Sequence, residues 1–546
     1  MHDPARPAVT GRGAGAGAGA RDSRPFPRIL QPAIAPSTCA ERIETVNPEQ
    51  AYAELVRLSR EEAVLSSCAE LLEWDEEVNM PRGGVEHRAE QLALLAGLVH
   101  DRATSPRYDE LLSCIEGSPV VSDPDTPVAV NVRELRRAFD RERRLPRRLV
   151  EESARVTALA SQAWAQARKR DDFATFAPWL DRIFALAREE ADAVGYAGNR
   201  YDALLDDYEQ GATTDQLVAL FARLERDLVP LVDGLRDRPS PAPSHVLDRE
   251  FPVDRQRLLV ESVAEALGFN LECGRLDAGN HPFCAAIGPG DVRIGLRYFP
   301  RNFARGFFAL LHEVGHALYD QGLEPSHYGT PMGEAASLGL HESQSRLWEN
   351  HVGRSDGFWR HFYPQVRAAF HDALHDVPLD TFRRVINHVA PGVIRVQADE
   401  VTYDLHIIIR FELERALLDG DLQSADLPGA WSELYRRYLG VAPKNDRTGC
   451  LQDGHWSESL IGYFPTYTLG NIYAAQLFDA ADRAIGPLEE QFAVGDFLTL
   501  RSWLGEHVHR HGARYLAGEV VEQATGRAPD PAALIASLSR RYPAIA

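Results

Sequence analysis

Apolar residues recur at three- and four-residue spacing along most of this chain. The spacing is clear in AYAELVRLSREEAVLSSCAELLEW (Ala51–Trp74) and again in the segments HRAEQLALLAGLVHDRA and ARVTALASQAWAQARKR. On a helix, such spacing gathers the apolar side chains on one face that can be buried. We therefore expect a mainly α-helical fold. Since no long internal linker is visible, the sequence predicts one large domain over residues 46–546, with one or two lobes.

The N-terminal segment, residues 1–45, does not follow this pattern. It is rich in Gly, Ala, Pro and Arg and includes GAGAGAGA at Gly13–Ala20. A stretch of this composition cannot bury enough apolar surface to offset the loss of chain entropy on folding. We expect residues 1–45 to be a disordered N-terminal extension, and we favour a passive tail over a targeting segment.

Charge and cysteine usage limit the classes of function. The formal net charge is −21 and the acidic residues are spread along the chain, so its field repels nucleic-acid phosphate and anionic lipid. No apolar run reaches the length of about eighteen residues that a membrane-spanning helix requires. The six cysteines are scattered without C-x-x-C pairs, which favours a reducing, cytoplasmic location and argues against a cysteine–zinc site.

The stretch LLHEVGHALYDQG (Leu310–Gly322) carries the pattern H-E-x-x-H on a predicted helix that ends at Gly322. His312 and His316 are four residues apart, so their imidazoles project from one face of the helix and can share a metal ion. The side chain of Glu313 projects in a different direction around the helix, from which it can reach a metal-bound water rather than the metal itself. Two exposed polar residues on an amphipathic helix are the structural alternative.

A catalytic zinc site takes three protein ligands and keeps one position open. The extended pattern H-E-x-x-H-x-x-G-x-x-H is absent, so the third ligand must come from another segment. The next amphipathic helix, SLGLHESQSRLWEN (Ser337–Asn350), brings a carboxylate at Glu342. Glu334 and Glu349 are alternatives that the residues alone leave open.

One segment shows the alternation that is typical of a strand. DVRIGLRYF (Asp291–Phe299) has β-branched residues between turn signals and precedes the histidine helix. We expect an edge strand there, which would hold an extended peptide by backbone pairing beside the metal. A purely structural hairpin is the alternative.

Several motifs, in the same order along the chain, resemble those of the M32 family of metallocarboxypeptidases, the thermostable carboxypeptidase Taq type. They are HPF (His281–Phe283), Asp291 with Arg293, HEVGH (His312–His316), HESQ (His341–Gln344), IRVQAD (Ile394–Asp399) and GCLQDGHW (Gly449–Trp456). The resemblance runs from about residue 50 to the C-terminus. The chain departs from the family at Gly295, where threonine is usual, and at residues 458–460, in a stretch expected to hold more glycine.

The resemblance implies one divalent metal per chain, held by His312, His316 and Glu342, with Glu313 as general acid and base. Zinc suits this ligand set, and cobalt or manganese would also fit. The resemblance further implies a single M32-type peptidase domain and a homodimer. The fold would be all-α with a deep central groove, similar to that of neurolysin-like and angiotensin-converting peptidases.

A carboxypeptidase also needs hydrogen-bond donors that stabilise the oxyanion and a group that binds the terminal carboxylate of the substrate. We expect Tyr463 or His455 in the first role. Arg395 is our first choice for the second, because its planar guanidinium can bind both carboxylate oxygens. A salt bridge from Arg395 to Asp399, or to a glutamate nearby, is the structural alternative. The remaining residues expected to shape the groove or orient neighbouring groups are His281, Arg293, Gln452 and Asp453.

The predicted function is that of a metal-dependent carboxypeptidase, which hydrolyses the C-terminal bond of peptides with a free C-terminus. The reaction would use a water activated by the metal and a glutamate general base. No nucleic-acid or membrane partner is expected. A metallo-endopeptidase or oligopeptidase on the same fold is one alternative. A catalytically silent scaffold is another, although the intact metal set argues against it.

Overall fold

Helices form most of the structure, a computed structural model that describes residues 47–236 and 244–542. The mainly α-helical fold predicted from the apolar spacing is confirmed. The predicted disordered extension, residues 1–45, lies outside the described residues. Within them, no helix is both long and apolar enough to span a membrane.

The helices before the sheet pack around two separate apolar clusters. Helix α1 starts after Asn47, whose side chain accepts a hydrogen bond from the Glu49 amide at 3.0 Å. Leu55, Leu112 and Phe139 belong to a small cluster shared by α1, α3 and α4, whereas α5 and later elements contribute to the main core. The bounds are α1 (Pro48–Val78), α2 (Val85–Ala103), α3 (Pro106–Ile115), α4 (Pro127–Arg144), α5 (Arg147–Arg170), α6 (Phe173–Val194), α7 (Arg200–Leu205), α8 (Thr214–Arg236) and α9 (Val253–Ala266).

A small sheet follows, formed by β1 (Gly274–Ala278), β2 (Phe283–Gly288) and β3 (Asp291–Leu296). The strand order is β1-β3-β2, with β1 parallel and β2 antiparallel to β3. The segment predicted as an edge strand is therefore the central strand, and that prediction is wrong. Its two partners, GRLDA and FCAAIG, contain few β-branched residues, so the sequence pattern did not reveal them.

Helix α10 (Phe303–Asp320) carries the H-E-x-x-H pattern and is buried on nearly all sides. The Asn302 side chain accepts a hydrogen bond from the Arg305 amide at its start. The helix ends two residues before the predicted Gly322. The elements that follow are α11 (Leu338–Arg346), α12 (Asp356–Ala369), α13 (His371–Leu374), α14 (Leu379–Ile386), α15 (Tyr403–Asp419), α16 (Leu427–Leu439), α17 (Pro465–Ile485), α18 (Leu488–Ala493), α19 (Leu498–His507), α20 (Ala517–Thr525) and α21 (Ala532–Arg541).

Helix α11 is the element that brings the distant parts of the chain together, because it packs against both α10 and α17. Its N-terminus is capped by the Ser337 hydroxyl, which accepts a hydrogen bond from the Leu340 amide at 2.9 Å. The buried Glu209 carboxylate accepts further hydrogen bonds from the Gly339 amide and the Tyr473 hydroxyl. A π-helical segment, Leu347–Val352, continues α11.

Candidate metal centre

Two histidines and a glutamate face one another where α10 packs against α11. The Nε2 atoms of His312 and His316 lie 3.5 Å and 3.4 Å from Oε2 of Glu342. One donor atom from each of the three residues lies within 4.8 Å of the others. Two imidazoles and one carboxylate form the donor set of many catalytic zinc sites. The three predicted ligands are thus brought together, although α11 is separate from α10 in sequence.

This close approach depends on Gly315, which lies between the two histidines on α10. A Cβ atom at position 315 would lie 2.4 Å from the carbonyl oxygen of Gln344 and 2.5 Å from the Cα of Ser345. Both atoms belong to the backbone of α11. Only a glycine therefore lets the two helices pack this closely without a backbone shift.

Arg346 and Glu349 surround the side of His312 that faces away from the other ligands. Nδ1 of His312 donates to Oε2 of Glu349 at 3.0 Å, so in the neutral imidazole the Nε2 lone pair is directed towards Glu342. Arg346 donates from Nε to Oε1 of Glu342 at 2.7 Å and from Nη1 to Oε2 of Glu349 at 3.2 Å. One guanidinium therefore orients both carboxylates, a role that the sequence reasoning missed.

A second chain of polar contacts leads from His316. Its Nδ1 lies 2.6 Å from Nδ1 of His341, and Nε2 of His341 lies 2.9 Å from Oδ1 of Asp320. In the neutral tautomer of His341 that donates from Nε2 to the Asp320 carboxylate, Nδ1 of His341 accepts from His316. His316 then keeps its Nε2 lone pair for a metal. Burial lowers the pKa of His316 to about 4, which keeps the imidazole in the neutral form that binds metals.

The carboxyl groups of Glu313 and Glu342 are held in different states. Burial raises the pKa of Glu313 to about 7, and the nearby Glu342 carboxylate adds to the shift. Burial would also raise the pKa of Glu342, but Arg346 and the two histidines outweigh it and hold that pKa well below its usual range. Glu342 is therefore a permanent anion, whereas Glu313 can gain or lose a proton near neutral pH.

The other two candidates for a third ligand lie elsewhere. Glu349 contacts His312 through the nitrogen opposite to the one that faces Glu342. Glu334 lines a separate cavity of about 1050 Å³ between α1, α2, α4 and the sheet. Of the three glutamates that the sequence left open, the structure brings Glu342 to the Nε2 atoms of both histidines.

A cavity of about 290 Å³ opens beside the three predicted ligands. Phe283 and Cys284 of β2 form part of its wall, so β2 rather than the predicted strand reaches the centre. Another part of the wall is formed by His455, Tyr463, Thr466 and Tyr467. The predicted site residues that line this cavity, besides the three ligands, are His281, Glu313, Arg395, His455 and Tyr463.

Arg395 forms its ion pair with Asp453 and not with Asp399. Its Nε donates to Oδ1 of Asp453 at 3.0 Å, and Nη2 lies 2.9 Å from the same oxygen. Asp453 also accepts from Arg410, at 2.5 Å from Nη2. Gln452 accepts a hydrogen bond from the Arg395 amide, whereas Asp399 accepts from the Val401 and Thr402 amides. The alternative pairing of Arg395 with Asp399 is therefore wrong.

His455 and Tyr463 both line the cavity. Nε2 of His455 contacts the Tyr467 hydroxyl at 3.1 Å, and the His455 and Tyr463 rings are 5.5 Å apart. Glu414 ties this loop to α15, because it accepts hydrogen bonds from Trp456 Nε1 and the Gly462 amide. Both candidate oxyanion donors are thus carried by one anchored loop.

Arg293, which was expected to shape the groove, instead contacts residues of β3 and α1. It forms a bidentate ion pair with Asp291, and its guanidinium lies 4.3 Å from the centre of a Trp74 ring. It is absent from the cavity wall, within the part of the chain that the structure describes. His281 does line the cavity, and its Nδ1 lies 3.2 Å from Glu77 of α1.

Comparison with known proteins identifies the family. A model of the carboxypeptidase Taq (M32) metallopeptidase family matches residues 54–542. The chain is 48% identical to thermostable carboxypeptidase 1 of Thermus thermophilus, over 92% of this chain and 100% of that protein. This chain belongs to the M32 family. It is also 35% identical to carboxypeptidase 1 of Bacillus subtilis, over 87% of this chain and 95% of the relative.

Solved structures agree with this assignment. The crystal structure of the M32 carboxypeptidase from Deinococcus radiodurans has a TM-score of 0.87 and 38% sequence identity, and the match covers 90% of this chain and 98% of that one. The protein is therefore a metallocarboxypeptidase of the M32 family, as the motifs indicated. The family implies a divalent metal, and the donor set of His312, His316 and Glu342 fits one.

The two departures from the M32 pattern have visible consequences. Gly295 faces Phe283 across the sheet, and a Cβ atom there would lie 2.1 Å from the phenyl ring. The ring of Phe283 thus occupies the space that a threonine side chain would need. Ser459 has a φ of 63°, a left-handed conformation that favours glycine. The loop therefore keeps a glycine-like backbone although its sequence carries serine.

Proposed function

We propose that this M32 metallocarboxypeptidase binds its metal through His312, His316 and Glu342 and uses Glu313 as general base and acid. The observation that carries this proposal is the convergence of three donor atoms within 4.8 Å. The far nitrogens of both histidines are also engaged by hydrogen bonds, as is typical of imidazoles that bind a metal.

The chemistry follows from the position of Glu313. A divalent metal at these residues would polarise the peptide carbonyl and make a water more acidic. Glu313 would accept a proton from the attacking water and return it to the leaving amine. Its raised pKa, about 7, suits a group that must both accept and donate near neutral pH.

Tyr463 and His455 are the proposed donors to the oxyanion that forms on the substrate carbonyl. Both line the cavity that contains Glu313, and the loop that carries them is anchored by the buried Glu414. A donor held in place before the reaction stabilises developing charge without the cost of reorganisation.

We propose that Arg395 binds the C-terminal carboxylate of the substrate. Arg395 and Arg410 are both buried and share the carboxylate of Asp453, so positive charge exceeds negative charge within this group of three side chains. A buried charge without a partner is costly. The carboxylate of a peptide in the cavity would supply the missing partner and bind bidentately to the remaining donors of Arg395.

The test compares an N-blocked dipeptide that has a free C-terminus with the same dipeptide as its C-terminal amide. The unaltered enzyme should hydrolyse the first and discriminate strongly against the second. Arg395→Lys keeps the charge but loses the planar fork, so kcat/KM for the free acid should fall about tenfold to hundredfold. Arg188→Lys is the control, because Arg188 donates to the backbone carbonyls of Leu417 and Leu418. Equal cleavage of acid and amide by the unaltered enzyme would favour an endopeptidase instead.

We further propose that zinc is the native metal. Two histidines and one glutamate suit it, although cobalt and manganese accept the same donors. Elemental analysis of protein purified without added metal, followed by reactivation of the chelator-treated enzyme with each ion, decides between them. Reactivation by manganese alone would contradict the choice of zinc.

A homodimer in the cytoplasm is the proposed physiological form. No disulfide bond links cysteines within the described residues, which is usual in a reducing compartment. Light scattering coupled to size-exclusion chromatography measures the molar mass of the particle, against 60.7 kDa for one chain. Cell fractionation measures the location, and a monomeric or exported enzyme would refute the corresponding part of the proposal.

A further inference from the structure

Tyr403 lies between Arg395 and the residues that hold the metal centre. Its hydroxyl accepts a hydrogen bond from Nη1 of Arg395 at 3.0 Å. The face of its ring lies 4.2 Å from the guanidinium carbon of Arg346. The residue is 5% exposed and starts α15. One buried side chain therefore contacts two guanidinium groups, through its hydroxyl and its ring respectively.

The contact with Arg346 concerns the metal centre. Arg346 donates to Glu342 and to Glu349, and Glu349 in turn contacts His312. A cation over the face of a tyrosine ring is attracted to it, most strongly where water is excluded. The ring of Tyr403 therefore holds the guanidinium that orients the carboxylate of Glu342.

The contact with Arg395 concerns the end of the substrate. Asp453 holds the Nε edge of the Arg395 guanidinium, and the Tyr403 hydroxyl accepts from Nη1. Two acceptors on different edges fix the plane of the guanidinium. Without the hydroxyl, Nη1 would lose its acceptor and the guanidinium could tilt about its contact with Asp453.

We propose that Tyr403 is a positioning residue with two separable parts. Its hydroxyl orients Arg395 for the C-terminal carboxylate of the peptide, and its ring holds Arg346 against Glu342. The first part rests on the proposed role of Arg395. The second part concerns the affinity for the metal alone.

Two substitutions separate the two parts. In Tyr403→Phe, KM for the free-acid peptide should rise about tenfold, the usual effect of losing one hydrogen bond to a charged group, while kcat and the metal dissociation constant stay within twofold. In Tyr403→Leu, the metal dissociation constant, measured by competition with a chromophoric chelator, should rise about fivefold or more as well. Tyr363→Phe is the matched control, since it removes a buried hydroxyl that donates to Val377.

Competitive inhibition provides a readout independent of turnover. Affinity for 3-phenylpropanoate should fall about tenfold in Tyr403→Phe, whereas affinity for 3-phenylpropanamide should not change. The double variant with Arg395→Lys should bind the carboxylate no more weakly than Arg395→Lys alone, because the hydroxyl acts through Arg395. Circular dichroism melting of each variant identifies any loss of folding.

The outcomes distinguish this inference from the proposed function. If Arg395→Lys abolishes discrimination between acid and amide and Tyr403→Phe does not weaken it, the role of the hydroxyl is refuted while that of Arg395 stands. If Arg395→Lys leaves discrimination intact, both are refuted. Unchanged metal affinity in a folded Tyr403→Leu refutes the role of the ring.

Discussion

Replacing Gly315 by alanine tests whether the packing of α10 on α11 sets the geometry of the metal centre. The added Cβ would lie 2.4 Å from a backbone oxygen of α11, whereas ordinary contact begins at 3.4 Å. The two helix backbones would have to separate by about 1 Å, because a backbone atom cannot avoid the clash by changing its rotamer.

The expected consequence follows from the short distances at the centre. Glu342 lies 3.4 Å and 3.5 Å from the two imidazole nitrogens, and ligand bonds to zinc are about 2.0–2.2 Å long. A shift of about 1 Å is large on this scale, so the metal dissociation constant should rise at least about tenfold to hundredfold, as for other disturbed metal sites. Overpacking should also lower the free energy of unfolding of the metal-free protein by about 1–3 kcal/mol.

The matched control is Gly505→Ala on α19, where an added Cβ meets no atom within 4 Å. That variant should keep its metal affinity and gain up to about 1 kcal/mol in unfolding free energy, because alanine is the better helix former. Urea unfolding in the presence of a chelator measures the stability, and chelator competition measures the metal affinity. If Gly315→Ala binds metal as tightly as the unaltered enzyme, the contact with Gln344 does not set the ligand distances.

Three further predictions concern the base, the metal and a buried acid. Glu313→Gln should lower kcat about 10²–10⁴-fold with metal content unchanged, and a parallel loss of metal would make Glu313 a ligand. Removing the metal with a chelator should lower the melting temperature, since a metal at a hundredfold excess over its dissociation constant stabilises the folded protein by about 2.7 kcal/mol. In Glu342→Gln, the melting temperatures with and without chelator should be the same. Burial raises the pKa of Glu414 from 4.5 to about 7 in the folded protein. Between pH 4.5 and about pH 7, the folded protein therefore keeps the proton on Glu414 while the unfolded chain has lost it. The free energy of unfolding should fall as the pH rises through this range. Glu414→Gln should reduce that slope in urea unfolding, and an unchanged slope would contradict the assignment.

The helical fold and two of the three predicted ligands were accessible from local spacing, because helix periodicity and the i, i+4 relation of His312 and His316 depend only on neighbouring residues. The choice between Glu342 and Glu349 was not accessible in this way. These glutamates are seven residues apart, which is two helical turns, so both lie on the same face of the predicted helix. Only the packing of α11 on α10 brings Glu342 to Nε2 of His312 and Glu349 to Nδ1 of the same residue.

The sheet could not be predicted for a different reason. The central position of β3 depends on its pairing with β1 and β2, which no pattern within residues 291–299 encodes. Arg346 stands four residues after Glu342, a spacing that favours an ion pair on a helix. The same spacing is common on exposed helices, so it does not single out Arg346 as a residue of the metal centre. Its importance here comes from burial, which the sequence does not show directly.

Two buried groups of ion pairs, each with one member in the cavity wall, have opposite charge balances. In the first, the carboxylates of Glu342 and Glu349 share the guanidinium of Arg346. In the second, the guanidiniums of Arg395 and Arg410 share the carboxylate of Asp453. The first imbalance suits a metal cation and the second suits a substrate anion, because buried charges are stable only when they are matched. If Arg395 binds the terminal carboxylate as proposed, a peptide chain that continued past the cavity would bring it no anion, and this charge pattern would favour cleavage at the C-terminal residue over internal cleavage.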